Sequence, residues 1–201
     1  MMDMTTSAAA AELRCSVNTL KKLIAAGLLP EVRERGNRTL LPAGDVRVLA
    51  RRETVDLDAL ELGELPVLRV GPAVDPAEGG EGRAWIGYSA RLVPEQMYEA
   101  LRGWWRCDPE RVLRAGVLAV TLGPYVVAVL GGFRDVESNG AGRYRFAGEL
   151  EGYVTDLVAP VQVVRGDTPW ARRLLGRRLE SESGGPFAYV WRPGSSVDDV
   201  P

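Results

Sequence analysis

The sequence predicts an α+β protein: a small, mainly helical N-terminal unit, followed by a mixed, mainly antiparallel, barrel-like sheet with flanking helices. Apolar residues recur at helical spacing early in the chain, whereas continuous apolar runs at 117–122 and 125–130 predict strands buried on both faces. The charge changes at the same place. Residues 1–52 contain nine Lys or Arg and five Asp or Glu, while the whole chain has a net charge of −2. A basic unit therefore precedes an acidic one.

The segment 16–30 predicts a helix with one buried and one polar face. Ser16 can cap its N-terminus through the side-chain hydroxyl, and Gly27 and Pro30 mark its end. Apolar residues at 20, 23 and 24 have the spacing that buries one face of a helix. The opposite face carries side chains that suit phosphates and base edges: Asn18, Thr19, Lys21 and Lys22.

A basic hairpin is predicted after this helix. Residues with strand propensity lie on both sides of Gly36 and Asn37, a pair that is typical of a tight turn. Arg33, Arg35 and Arg38 lie on or beside the turn, where long basic side chains can reach a sugar-phosphate backbone. A third helix is predicted at 43–52 from its apolar spacing.

These elements, in this order, resemble the excisionase and MerR-like winged helix-turn-helix family. The matching features are a helix of small residues, a Ser-x-x-Thr-hydrophobic turn, Gly-x-Leu-Pro, a basic Gly turn and a Pro-x-x-Asp-hydrophobic third helix. Arg14 and Cys15 depart from the family's usual Gly and aliphatic residue. The resemblance implies that residues 1–52 bind double-stranded DNA, with the helix at 17–26 in a major groove and the hairpin as the wing. The candidate DNA-binding residues are Ser16, Asn18, Thr19, Lys21, Lys22, Arg33, Arg35, Asn37 and Arg38.

Composition indicates a soluble globular protein, with 46% hydrophobic and 26% charged residues in 201. We expect a cytoplasmic protein that does not enter the membrane, because no apolar stretch is long enough to span it and no signal peptide is evident. The chain has two cysteines and no histidine. Histidine-based catalytic pairs and metal sites are thereby excluded, so we expect no enzymatic activity, no metal and no cofactor.

The remainder of the chain is predicted to form a separate domain. Residues 53–64 are acidic with scattered leucines, which indicates a linker or a short helix that proteases would cut. Residues 65–192 form the predicted second domain, and 193–201 a disordered tail. Strands are predicted at 66–70, 84–89, 117–122, 125–130, 143–150 and 187–191, and helices at 94–105, 108–114 and 170–175.

Residues 84–191 resemble the PUA-like superfamily of small β-barrels, which includes ASCH and EVE domains. The residues that carry this resemblance are Gly103-Trp104-Trp105, 117–132, 142–148 and Leu175-Gly176-Arg177-Arg178. It implies binding of RNA, modified bases or small ligands. We expect one concave ligand pocket bordered by aromatic and basic side chains, with packing in the core as the alternative for the aromatics. These residues are Trp85, Tyr88, Trp104, Trp105, Arg143, Tyr144 and Arg145.

The sequence thus predicts a bacterial, sequence-specific transcription regulator that binds double-stranded DNA and has a C-terminal sensing or assembly domain. One alternative is a reader of modified or flipped nucleobases, in which the second domain binds the base. Another is an excisionase-like architectural factor of a mobile element. The sequence specifies neither the operator, the ligand, the oligomeric state nor the direction of regulation.

Overall fold

The computed structural model describes residues 2–76, 82–159, 162–165, 169–181 and 185–191, so the tail predicted at 193–201 lies outside them. The N-terminal part, here called the head, contains three helices and a small antiparallel sheet of order β1-β3-β2. Its elements are β1 (Asp3–Thr5), α1 (Thr6–Glu12), α2 (Val17–Ala25), β2 (Arg33–Arg35), β3 (Arg38–Pro42) and α3 (Ala43–Ala50).

Helix α2 forms where the sequence predicts it. The Ser16 hydroxyl accepts a hydrogen bond from the Thr19 backbone N–H at 3.0 Å, which satisfies one N–H of the first turn. After the last turn, Gly27 adopts a φ of +75°, a left-handed conformation that glycine accepts without strain. Leu20 and Leu23 are buried on the inner face. Capping and apolar spacing therefore determine both ends of the helix and its orientation.

The second part, here called the sheet domain, has six strands in the order β8-β7-β6-β5-β4-β9. Strands β4 and β5 are parallel, and the other neighbours are antiparallel. The strands are β4 (Glu64–Arg69), β5 (Val117–Leu122), β6 (Tyr125–Ser138), β7 (Tyr144–Val154), β8 (Gln162–Val164) and β9 (Phe187–Trp191). The helices are α4 (Pro94–Leu101), α5 (Pro109–Ala115) and α6 (Pro169–Leu174).

The sheet is not closed into a barrel, so the barrel expected from the PUA-like resemblance is wrong. Within the described residues, β8 and β9 lie at opposite edges of the sheet and do not pair with each other. Strand β4 inserts parallel to β5 and pairs with β9 on its other side. The sheet is therefore an open, mixed layer with β8 and β9 as its edge strands.

The core lies around β5 and β6. Every residue of β5 is buried, and so are the first seven residues of β6. Helix α5 packs against β4 and β5, helix α6 packs against β6 and β7, and α2 of the head also contacts β5. The two buried strands predicted from the apolar runs are confirmed, and a turn at Gly123 and Pro124 joins them as an antiparallel pair. Strands covered on both faces require continuous apolar sequence.

Residues 84–89 do not form the predicted regular strand. They make only isolated bridges, between Ile86 and Val74 and between Tyr88 and Pro72. Gly87 has a φ of +106°, and a Cβ there would lie 2.7 Å from the carbonyl oxygens of Gly71 and Pro72. This close backbone approach interrupts strand geometry. The predicted helix at 94–105 is also shorter and ends at Leu101.

Residues 53–64, predicted as an acidic linker or a short helix, are packed against the rest of the protein. The side chains of Val55 and Leu60 are buried. The Val55 N–H donates to the Arg178 carbonyl at 2.8 Å, and the Arg178 N–H donates to the Glu53 carbonyl at 2.8 Å. The buried residues of the head and the sheet domain belong to one continuous apolar cluster.

Among the described residues, no helix has both the length and the apolar character needed to span a bilayer.

Candidate nucleic-acid interface

The exposed face of α2 is the first part of the interface. The side chains of Asn18, Lys21 and Lys22 are exposed to solvent, and Val17 is 38% exposed beside them. The Ser16 hydroxyl, besides capping the helix, lies 2.9 Å from the Thr19 hydroxyl. An amide and two ammonium groups at the first two turns of an exposed helix can donate to phosphates and base edges.

Thr19 does not share the open face with Asn18. Successive helical residues differ by about 100° in direction, so residue 19 points toward the sheet domain while residues 18 and 21 point away. Its methyl group lies beside the β5–β6 turn, where a Cβ placed on Gly123 would be only 2.5 Å from Thr19 Cγ2. The predicted DNA contact at Thr19 thus faces another part of the protein, and Lys22 borders the same gap.

The predicted wing is a two-stranded hairpin with an exposed tip. Arg35 pairs with Arg38 across the turn, and Gly36 has a φ of +59°. The side chains of Arg35, Asn37 and Arg38 are exposed. Arg33 is also exposed, but its guanidinium lies 3.7 Å from the Asp3 carboxylate of β1. The hairpin therefore presents Arg35 and Arg38 at its tip, whereas Arg33 is held beside β1 by Asp3.

A trough of about 530 Å³ lies where the first turns of α2 meet the sheet domain. Its head wall comes from the turn between α1 and α2 and from α2 itself, and its other wall comes from the ends of β4, the β5–β6 turn and the chain after α6. The described lining residues are Arg14, Cys15, Ser16, Thr19, Lys22, Arg69, Val70, Gly71, Gly123, Pro124, Arg178, Leu179, Glu180, Ser181 and Gly185.

Arg178 fixes the head to the sheet domain at the inner end of this trough. Its guanidinium donates to the Leu13 carbonyl at 3.3 Å, at the end of α1, and lies 5.6 Å from the centre of the Tyr125 ring. The Tyr125 hydroxyl in turn donates to the Leu49 carbonyl of α3 at 3.3 Å. Burial raises the pKa of the Cys15 thiol in this region, and the positive charge of Arg178 lowers it in part.

Backbone hydrogen bonds hold the other end of α2. The Ala90 N–H donates to the Ala26 carbonyl at 2.9 Å, and the Leu157 N–H donates to the Leu28 carbonyl at 3.1 Å. The sheet domain therefore holds the end of α1 through Arg178 and the C-terminal end of α2 through these backbone bonds. Sequence reasoning missed Arg178 and Tyr125 in this role, since their contacts join residues far apart in the chain.

The aromatic and basic residues predicted to border one pocket lie at several different places in the structure. Tyr88 is wrong as a pocket residue, because its ring is fully buried and its hydroxyl donates to the Val154 carbonyl. Trp105 and Tyr144 pair through their backbones, with N–H to carbonyl distances of 2.9 and 2.8 Å. The Arg145 guanidinium lies 4.7 Å from the ring centre of the half-buried Trp104.

The other two residues of that set lie in separate surroundings. Trp85 borders an open groove of about 280 Å³ together with residues 82–84 and the first turns of α4, including Glu95 and Glu99. Arg143 is exposed at the far end of the β6–β7 hairpin, where its backbone N–H donates to the Asn139 side-chain oxygen at 3.2 Å. The groove beside Trp85 is thus acidic at one wall, which disfavours a phosphate there.

Comparison with known protein families identifies the head. Residues 4–54 match the family described as a helix-turn-helix domain. The comparisons with curated proteins and with solved structures gave no match, and the PUA-like resemblance of the sheet domain gains no support from them. The matched residues include α1, the capped helix α2, the basic hairpin and α3. The first quarter or so of the chain is therefore a helix-turn-helix domain, a unit with which proteins bind DNA.

Proposed function

We propose that the protein is a sequence-specific DNA-binding regulator and not an enzyme. Helix α2 enters the major groove and reads base edges with Asn18 and Lys21, while the hairpin contacts the backbone with Arg35 and Arg38. The observation that carries the proposal is the polar, exposed face of a capped helix beside an exposed basic hairpin, within a matched helix-turn-helix domain.

The charge distribution supports this assignment. Phosphate contacts position such a domain on DNA, and contacts with base edges give it specificity. Lys21 and Lys22, the two lysines of the chain, lie together on α2, and the arginines at the hairpin tip extend the positive surface. Asn18 carries the amide group that can bond to an adenine edge.

The proposal can be tested with the full chain and duplexes selected from a random pool. Lys21→Gln should weaken binding and relax the sequence preference at the base pair that Lys21 contacts. Asn18→Ala should cost about 1–3 kcal/mol of discrimination at one base pair. Arg134→Gln, which removes an exposed cation from β6, is the matched control. Selection of no sequence, or equal binding by all three variants, would refute the proposal.

We further propose that the sheet domain modulates the head, as a sensing or an assembly domain. Support comes from its contacts with the end of α1 and the C-terminal end of α2, since any change in the sheet domain that shifts these contacts also shifts the DNA-binding face. A regulator of this kind should bind its operator with an affinity that depends on a ligand or on protein concentration. Titration of the operator complex with cell metabolite fractions, and over a range of protein concentrations, measures this dependence.

The alternative role as a reader of modified or flipped bases has one observation in its favour. Trp85 is half-buried and borders an open groove, so part of its ring can stack on a planar ligand. If the protein reads bases in this groove, it should prefer duplexes that contain modified bases, and Trp85→Ala should remove that preference. Equal affinity for modified and unmodified duplexes of the same sequence would exclude this role and leave the regulator or the excisionase-like architectural factor.

A further inference from the structure

The trough between the head and the sheet domain is basic on both walls. Arg14 and Lys22 come from the head, and Arg69 and Arg178 come from the sheet domain. Among the described lining residues, the one acidic side chain is Glu180, which is 84% exposed and lies 3.8 Å from Arg178. The acidic part of the chain thus places arginines next to the DNA-binding helix.

The trough borders the N-terminal half of α2, whereas the hairpin follows the C-terminal end of the helix. A helix of roughly 10–12 Å diameter nearly fills a major groove about 12 Å wide. The phosphates along the two edges of the groove therefore lie close to both sides of the inserted helix. Lys22 belongs both to the exposed face of α2, where it follows Lys21, and to the lining of the trough.

Contacts with the protein hold the two arginines of the sheet domain in place. Arg69 donates to the carbonyl oxygens of Ser181, at 3.4 Å, and of Gly185. Arg178 is held by the Leu13 carbonyl and the Tyr125 ring. These contacts orient the two guanidinium groups, which line the sheet-domain wall of the trough. An oriented cation loses less conformational entropy when it binds.

We infer that one strand of the DNA backbone lies in this trough, so that the sheet domain contacts phosphates adjacent to those contacted by the head. The inference deepens the proposed function and rests on it, because DNA must first occupy α2. A continuous basic surface from Lys21 through Lys22 to Arg69 favours a polyanion over a small anion, since it extends beyond the trough itself.

Two variants of the full chain change the charge of the sheet-domain wall. Arg69→Gln removes a cation, and Ser181→Glu adds an acid beside it. Their matched controls are Arg134→Gln and Ala141→Glu on the β6–β7 hairpin. β6 starts beside the trough at Tyr125, so Arg134 lies about 30 Å along the extended strand and Ala141 lies beyond its far end. Thermal unfolding checks that each variant is folded, and anisotropy at several salt concentrations with a selected duplex measures binding.

Arg69→Gln should lower affinity at 0.1 M salt by about three- to tenfold and reduce the salt slope by about one unit, and Ser181→Glu should lower affinity further. Hydroxyl-radical footprinting should show lost protection on one side of the site only, and both control variants should bind as the unmodified chain does. If a variant unfolds, the other variant gives the same readout.

Two other results would overturn the inference. Unchanged affinity, salt slope and footprint in both trough variants would show that DNA does not reach the sheet domain, while the effect of Lys21→Gln would still uphold the proposed function. Binding of inorganic phosphate or ATP that depends on Arg69, together with unchanged DNA binding in Arg69→Gln, would assign the trough to a small anion. Failure of the unmodified chain to bind any duplex would reject the proposed function itself.

Discussion

The head and the sheet domain differ in how they obtain their stability. The head consists of short helices, each of seven to nine residues, and a three-stranded sheet whose strands have three to five residues. The sheet domain buries β5 and the first half of β6 on both faces. Isolated helices shorter than about 12–15 residues are marginal in water. We therefore expect the head to gain stability from its contacts with the sheet domain, a region that the family match does not include.

Removing the ring that joins the two regions should have the largest effect. Tyr125 is fully buried at the start of β6, and its hydroxyl bonds to α3 of the head. Tyr125→Ala should destabilise the protein by about 3–5 kcal/mol, because removal of the ring leaves a cavity beneath the head. Chemical denaturation measures the loss. Tyr144→Ala, at a half-buried position near the far end of the sheet, should cost less and leave DNA binding unchanged. Wild-type DNA affinity in folded Tyr125→Ala would show that the head is independent.

Shortening a buried side chain of the head tests whether the two regions unfold together. Leu20 of α2 is fully buried, so Leu20→Ala should cost about 2–5 kcal/mol. All five tryptophans lie at or beyond residue 85, so their fluorescence reports the sheet domain, whereas circular dichroism at 222 nm reports helices of both regions. We expect the two transitions to coincide and to shift together. A helical transition that precedes the fluorescence change would establish a head that unfolds alone.

Loss of the helix cap should have an intermediate effect that is confined to α2. The Ser16 side chain accepts a hydrogen bond from Thr19 N–H, and Ser16→Ala should cost about 1 kcal/mol. Ser16→Asp keeps an acceptor at the same place and should restore most of the stability, although its negative charge in the trough should weaken DNA binding. The midpoint of urea denaturation and the DNA affinity measure the two effects. Equal stability of the Ala and Asp variants would contradict the capping role.

The smallest expected effect concerns the Cys15 thiol at the junction. Burial raises its pKa and the positive charge of Arg178 lowers it. Arg178→Gln should raise the pKa further, so that less thiolate is present at pH 9 and alkylation is slower. The rate is measured with iodoacetamide in a Cys107→Ser background, because Cys107 is the other free thiol. Arg134→Gln serves as the charge control. Faster alkylation in Arg178→Gln would indicate that the head has moved away and exposed Cys15.

The head could be predicted well because its signals are local. The Ser16 cap, the apolar spacing of α2 and the Gly36-Asn37 turn all act within a few residues, and each element forms as expected. The site residues followed from the same signals, but their directions did not. A polar residue near the open face of a helix can still point at a neighbouring domain, and Thr19 does so because the β5–β6 turn lies beside it.

The sheet domain was predicted less well because strand pairing, and the burial of each strand by other elements, depend on residues that are far apart in the sequence. The apolar runs of β5 and β6 indicated strands buried on both faces, but no local signal placed β4 parallel to β5 or left the sheet open. Tyr88 was misplaced in the aromatic set for the same reason, since its hydroxyl donates to Val154, 66 residues away in sequence. The acidic segment 53–64 resembled a linker because its packing partner, Arg178, is remote in sequence.

The sequence by itself determined the helix-turn-helix head, its capped recognition helix, its basic hairpin and the buried strands that follow, since these depend on local propensity and periodicity. The tertiary structure alone decided that the head is docked on an open sheet, that Arg178 and Tyr125 hold it, and that arginines of an acidic domain line a trough beside α2. Free energy from contacts between distant residues arises only when the chain has folded, and no short sequence pattern encodes which of them will meet.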